Sequence, residues 1–322
     1  MLREGCFPFG DDVATPLARR SVSRSDAIMG RSLASPAAAV EPDRYVFKLE
    51  TSMSKTQMTQ LPSINFQRTY LLGEAYESIK ERAIHELEKY LGYPDLITFN
   101  GLDRSVTFST ERLIPTVSTN RPRVMLLFSN PHPYSVHQGM FLSQSTNGQE
   151  NLFWSAMGDA DWITFAEEIR NPKQLADICL KANYEGPFEL IFYCYYAFPT
   201  NYPEDISRIF GKEYFRQVIE PEVIDEFRKT IQETSVEAVV TFNKGIFNLV
   251  SKDQIERYVE RLMEGELIQS QIKGIDRCVP IFLTFPTGWR YRRQYRQFRK
   301  ASLDTIRTAI CSGSNVPESK NT

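Results

Sequence analysis

The sequence predicts an α/β fold: a three-layer α/β/α sandwich built on a central, mainly parallel four-stranded sheet. Four short apolar runs, Val124–Phe128, Phe188–Phe198, Val236–Phe242 and Val279–Phe285, are each bounded by turn formers or polar residues, the pattern of strands buried on both faces. Helical patterns of about 10–15 residues separate several of them, as βαβ units require. A chain of 322 residues, 42% of them hydrophobic, is also long enough to cover such a sheet on both sides.

In chain order, residues 1–55 are rich in Ser, Ala, Arg and Pro and lack periodicity, so they are expected to be disordered. Within them LARRSVSRSDAIMGRSLASPAAA loosely resembles an organelle transit peptide. Early Glu4, Asp11 and Asp12, together with Met53 as a plausible start, argue against it. The folded domain is expected over residues 56–312. Its first element is a helix over Tyr70–Leu91, where Ile79, Ala83, Leu87 and Tyr90 recur and Gly92 and Pro94 end the run.

The first strand, Val124–Phe128, stops abruptly in Ser129-Asn130-Pro131-His132-Pro133. A polar stretch and NLFWSAMGDADWITFAEEI follow. The second strand is stopped by Pro199-Thr200-Asn201, and a helical segment covers Ile219–Ser235. The third strand runs into a helix opened by Asn243-Lys244, and the fourth passes through Pro286-Thr287-Gly288 into a long basic helix. Residues 313–322 read as a disordered tail.

A net charge of −2 excludes a global positive field, so a polyanion would have to be met by a local patch. The five cysteines show no CxxC pair, and Cys194 and Cys278, in or beside apolar runs, are expected to be buried thiols. With three histidines and no zinc-like spacing, neither a metal nor a cofactor is expected. No run of eighteen apolar residues suggests a membrane span. A cytoplasmic monomer is the expectation.

Two stretches carry chemistry. Open α/β sheets bind ligands outside the carboxyl ends of their strands, which is where the loop from Ser129 to Pro133 falls. Asn130 could cap a turn, or its amide could hold a water or read a base edge. His132 and His137 lie nearby, and neither alone decides between structure and chemistry. The second stretch, Thr284 to Lys300, holds six basic residues and no acidic one, with Phe285, Trp289, Tyr291, Tyr295 and Phe298 interleaved. On a helix, Tyr291, Tyr295 and Phe298 share one face and Arg292, Arg293, Arg296, Arg299 and Lys300 fan over the others. The aromatics then read as core. The arginines read either as a solvated face or as a phosphate-binding stripe.

Taken in order, these pieces resemble the uracil-DNA glycosylase superfamily, closest to its mismatch-specific and single-strand-selective branches. The resemblance rests on Phe128-Ser129-Asn130-Pro131-His132 with the loop to Gly139-Met140-Phe141, and on Asn151-Leu152-Phe153-Trp154. It continues through Tyr195-Tyr196-Ala197-Phe198-Pro199-Thr200, Val239-Val240-Thr241-Phe242-Asn243-Lys244 and Phe285-Pro286-Thr287-Gly288-Trp289. It implies hydrolysis of the N-glycosidic bond of a uracil or other damaged base flipped out of DNA. Asn130 would position the attacking water and Phe285 would stand in the place of the motif histidine. Ser129, Pro131, His132, Phe141 and Tyr196 would line the base pocket, with Phe141 stacking on the base. Thr287, Gly288, Trp289, Arg290, Arg292, Arg293 and Arg296 would contact DNA, Trp289 as the wedge.

This sequence departs from the family pattern at Phe285, at Tyr196 and at the positions flanking Asn130-Pro131. The alternative is therefore a non-catalytic, nucleic-acid-binding member of the same fold. The sequence has no GxSxG elbow, P-loop or GxGxxG fingerprint, which disfavours the common esterase and nucleotide-binding classes.

Overall fold

The structure is a computed structural model that describes residues 64–87, 94–143, 151–166, 168–169, 171–286 and 295–313. All of these belong to the unit Met58–Thr322. The expected disordered segment 1–55, and the expected tail beyond Gly313, lie outside the described residues.

The elements run β1 (Asn65–Leu71), α1 (Tyr76–Leu87), β2 (Ile97–Asn100), β3 (Ser105–Leu113), β4 (Arg123–Phe128), α2 (Pro133–Gln138), α3 (Leu152–Asp159) and α4 (Pro172–Leu180). They continue with β5 (Glu189–Cys194), α5 (Pro203–Phe210), α6 (Lys212–Tyr214), α7 (Glu220–Glu233), β6 (Ala238–Thr241) and α8 (Lys244–Val250). Last come α9 (Tyr258–Met263), β7 (Ile268–Gln271), β8 (Pro280–Leu283) and α10 (Arg296–Cys311). A π turn, Phe215–Ile219, joins α6 to α7.

The four expected strands are all present as β4, β5, β6 and β8, and they form the middle of the sheet in the order β5-β4-β6-β8, each pair parallel. The expected four-stranded sheet is too small. Eight strands are present among the described residues, and the sheet is mixed rather than mainly parallel. Antiparallel β3 carries β1 and β2 and joins them to β5, while β7 lies antiparallel to β8 at the far edge. Two of the added strands, β1 and β7, are half-wet. β1 buries only Tyr70 of its seven residues, and β7 buries Ile268 and Ser270 but not its two glutamines. Such antiparallel edge strands carry no continuous apolar run to betray them. The helix expected over Tyr70–Leu91 starts later, because Tyr70 and Leu71 pair with Val106 and Ser105 in the sheet. Residues 88–91 of that span lie outside the described residues.

Alternate residues of the central strands enter two different apolar clusters. Met125, Leu127, Ile191 and Val239 join Ile206 of α5, Phe227 of α7 and Phe247 of α8. Val124, Leu126, Leu190 and Val240 join Phe153 of α3, Cys179 of α4 and Leu303 of α10. Each such aliphatic or aromatic side chain stabilises the fold by about 1.5–3 kcal/mol when fully buried. Of the two cysteines expected to be buried, Cys194 is buried, whereas Cys278 is exposed just ahead of β8.

Two fully enclosed glutamates show opposite solutions to the cost of burying a carboxyl. Glu189, at the start of β5, accepts from Thr119 N–H (2.8 Å), Thr119 Oγ (3.0 Å) and Arg123 Nε (2.5 Å). Glu111 on β3 is 3% exposed, and its Oε2 has no hydrogen-bond partner among the described residues. Burial alone pushes its carboxyl well above the ordinary value of 4.5.

Removing the Glu189 carboxylate strands Arg123 and Thr119, so Glu189→Ala is expected to cost about 3–5 kcal/mol in denaturant titration. For Glu111 the sign is the reverse of a salt-bridged acid. Below 4.5 the group is protonated in both states, and above it the unfolded chain ionises while the folded one holds its proton. Stability therefore falls as pH rises. Glu111→Gln is expected to flatten that fall between about pH 5 and 8, read from denaturation midpoints across the range.

Candidate functional site

The carboxyl ends of the parallel strands bring most of the sequence motifs to one edge. After β4 the chain turns into α2 and α3, and Met140, Phe141 and Phe153 join one apolar cluster. After the neighbouring β6 it turns into α8, whose Ile246 and Phe247 join the other. Adjacent strands whose connections leave to opposite sides open a crevice at their ends. Ser129 and Asn130 follow β4 and Asn243 follows β6 at this edge, with the rings of Phe128 and Phe242 stacked 5.8 Å apart beneath them.

The loop after β4 is welded to the loop after β5. The ladder continues past the strands through Tyr195 N–H to Phe128 O (2.8 Å) and Tyr196 N–H to Ser129 O (2.8 Å), and Thr200 N–H reaches Pro131 O (3.1 Å). Pro131 and Pro133 supply no N–H and fix φ, so this chain is rigid without a ladder of its own. His132 caps α2, its Nδ1 accepting from Tyr134 N–H (3.2 Å). Gly139 closes that helix at φ 76°, a left-handed position that a side chain would strain.

Within this frame the Asn130 amide is oriented. Its Nδ2 donates to Thr200 O (2.7 Å) and Thr200 Oγ1 (3.0 Å), and its Oδ1 accepts from Ser129 Oγ (3.0 Å). Thr200 is fully buried. The amide donors are thus spent, which removes base-edge donation from the roles open to Asn130. Oδ1 keeps a second lone pair, and Ser129 Oγ keeps acceptor capacity as well. Two acceptors on one rigid turn can hold a water. Thr200 escaped the sequence reading because a threonine after a strand-ending proline signals only a stop. Its role exists only across two strands.

The pocket residues named from sequence divide sharply. Ser129, Pro131, His132 and Tyr196 gather at the same edge. His132 is exposed at the turn, and neighbouring protein shifts its pKa downward by partial desolvation. Tyr196 packs on Tyr195 and Phe215, ring centroids 5.0 and 5.5 Å away, and burial, assisted by Glu220, raises the pKa of its hydroxyl. Phe141 does not face the edge. It is 1% exposed and packs on Phe128 and Phe192 in the core. Its loop is pinned by Trp154 Nε1 donating to Leu142 O (3.1 Å), so an expected base-stacking ring is here a core ring.

Phe285 is a second correction. It is fully buried and stacked on Tyr295 (5.8 Å, 20°), an apolar side chain with no route to a reacting atom. Arg296 is a third. Its Nε and Nη2 each lie 2.7 Å from the Asp159 carboxylate, which that pairing holds below the usual range. The pair joins the first turn of α10 to the end of α3, and with the arginine side chain 70% exposed it is a weak surface contact. Thr287, Gly288, Trp289, Arg290, Arg292 and Arg293 lie outside the described residues. No group of three or more His, Cys, Asp or Glu among the described residues could hold a metal ion.

Phe141→Ala separates the two assignments of that ring. A core role predicts a loss of about 3–5 kcal/mol of unfolding free energy in denaturant titration, whereas a solvent-facing stacking role predicts nearly unchanged stability. Compared with known proteins, the chain matches no family model and no curated sequence.

Proposed function

We propose that this protein is a DNA glycosylase-like member of the uracil-DNA glycosylase superfamily, hydrolysing the N-glycosidic bond of a flipped uracil or other damaged base in DNA repair. The observation that carries the reading is Asn130. Its amide is turned by Thr200 and joined by Ser129 at the end of β4, where a doubly wound sheet keeps its chemistry. In this reading Asn130 Oδ1 and Ser129 Oγ hold the water. The water oxygen bonds to the sugar carbon as the carbon–nitrogen bond breaks, the base leaves with the bonding electrons, and the proton the water sheds is taken up by that base. His132 and Tyr196 flank the base. The basic stretch through Trp289, Arg290, Arg292 and Arg293 meets the phosphates. The architecture that goes with this reading is the three-layer sandwich, acting as a cytoplasmic monomer on DNA. That no helix among the described residues is long and apolar enough to cross a membrane is compatible with it.

One observation favours the second reading, a nucleic-acid-binding member without turnover. Phe285, in the place of the motif histidine, is apolar and enclosed, so no donor from that position meets the charge on the departing base. Losing one such preorganised donor costs roughly two to three orders of magnitude in rate. Turnover is therefore expected to be slow.

The test is incubation with single- and double-stranded oligonucleotides carrying uracil, hypoxanthine or other base lesions, followed by alkali. Strand cleavage is expected, and Asn130→Ala should abolish it. Salt-sensitive binding without cleavage of any lesion would replace the first reading with the second.

A further inference from the structure

With Phe141 and Phe285 buried, Tyr196, packed on Tyr195 and Phe215, is the one aromatic assigned by the sequence that remains at the edge around Asn130 among the described residues. Two residues after Thr200, the chain carries an exposed ring. Tyr202, in the loop after β5, is 64% exposed and is the only aromatic among the exposed large hydrophobic side chains of the described residues.

Its backbone is held from two directions. Thr200 Oγ1 donates to Tyr202 O (2.9 Å) while accepting from Asn130 Nδ2 (3.0 Å), so one buried hydroxyl links the candidate water-holding amide to this residue. On the other side Asp205 N–H donates to Tyr202 O (3.1 Å), and Tyr202 N–H donates to Asp205 Oδ2 (3.2 Å). Asp205 is itself buried and ion-paired with Arg208 (2.7 Å). Pro203 opens α5 immediately after, fixing the next φ.

Exposing a large aromatic costs favourable burial, and here the chain spends three hydrogen bonds keeping its backbone fixed. A rigidly carried tyrosine with only two rotatable side-chain angles offers a flat contact surface at low entropic cost. Flat, unsaturated ligands stack on such rings, and nucleobases do so whatever their sequence.

We propose that Tyr202 is a stacking platform for a nucleobase, extruded from a duplex or presented in a single strand, beside the Asn130 turn. The assignment rests on the nucleic-acid reading above and deepens it by moving base contact from Phe141 to the loop after β5.

The experiment uses the full chain and a single-stranded oligonucleotide containing 2-aminopurine, a fluorescent adenine analogue quenched by stacking. Wild type and Tyr202→Phe are expected to quench it and to bind with similar affinity. Tyr202→Ala is expected to lose the quenching and to bind about 5- to 150-fold more weakly, the cost of one lost base–aromatic stack. Retention of the ring without its hydroxyl separates stacking from hydrogen bonding. Quenching and affinity unchanged in Tyr202→Ala would overturn this inference and leave the proposed function standing. Absence of oligonucleotide binding by the wild type would overturn both.

Discussion

Everything at the candidate site depends on one constraint: β4, β5, β6 and β8 are buried on both sides. A strand with no wet face has nowhere to display a polar side chain except at its ends. The runs Val124–Leu127 and Leu190–Phe192 are therefore uniformly apolar, and after β4 the sequence becomes polar at once, at Ser129. The abruptness of that change at Ser129-Asn130 follows from the burial as much as from any function. What distinguishes this edge is that its polar groups are arranged, with Thr200 turning the Asn130 amide and the loops after β4 and β5 sharing backbone hydrogen bonds.

The two ends of the sheet treat charge differently. At the amino end of β5 a carboxylate is saturated with donors and serves to fasten Arg123 and Thr119 to the sheet. At the carboxyl end of β4 the polar groups are neutral, and acceptor capacity is left over. A network with no spare capacity rigidifies. One with spare acceptors is able to bind. On the basic helix, by contrast, the Arg296–Asp159 pair is exposed and adds little to the packing of α10 on α3.

The sequence made the centre of the sheet legible and its margins illegible, for one reason. Fully buried strands announce themselves as continuous apolar runs, and all four were readable within a few residues. β1 and β7 are half-exposed and held largely by pairing, while β3 buries Val106, Phe108 and Leu113 but intersperses them with Ser, Thr and Glu, so none of the three shows a continuous apolar run. At the site, the position of the Asn130 turn and its prolines was legible from the chain alone, but the orientation of the Asn130 amide depends on Thr200, seventy residues away. Phe141 and Phe285 were misjudged because an aromatic beside a turn reads the same whether its ring faces outward or folds back into the core. Thr200 and Tyr202 could not be recognised at all, since each acquires its role through bonds to a segment about seventy residues away or to the buried threonine that makes those bonds.

The π turn Phe215–Ile219 sits immediately ahead of α7, and a turn of that kind accommodates one residue more than a regular helix would. Each helical residue advances the angle by roughly 100°. Shortening this turn by a single residue would swing Val223, Phe227 and Ile231 away from the sheet and carry Glu222 and Glu226 off Arg68. Chain length between Tyr214 and Glu220 is thus locked to the phase of everything after it. Relatives of this protein should tolerate many side-chain replacements there and almost no insertion or deletion.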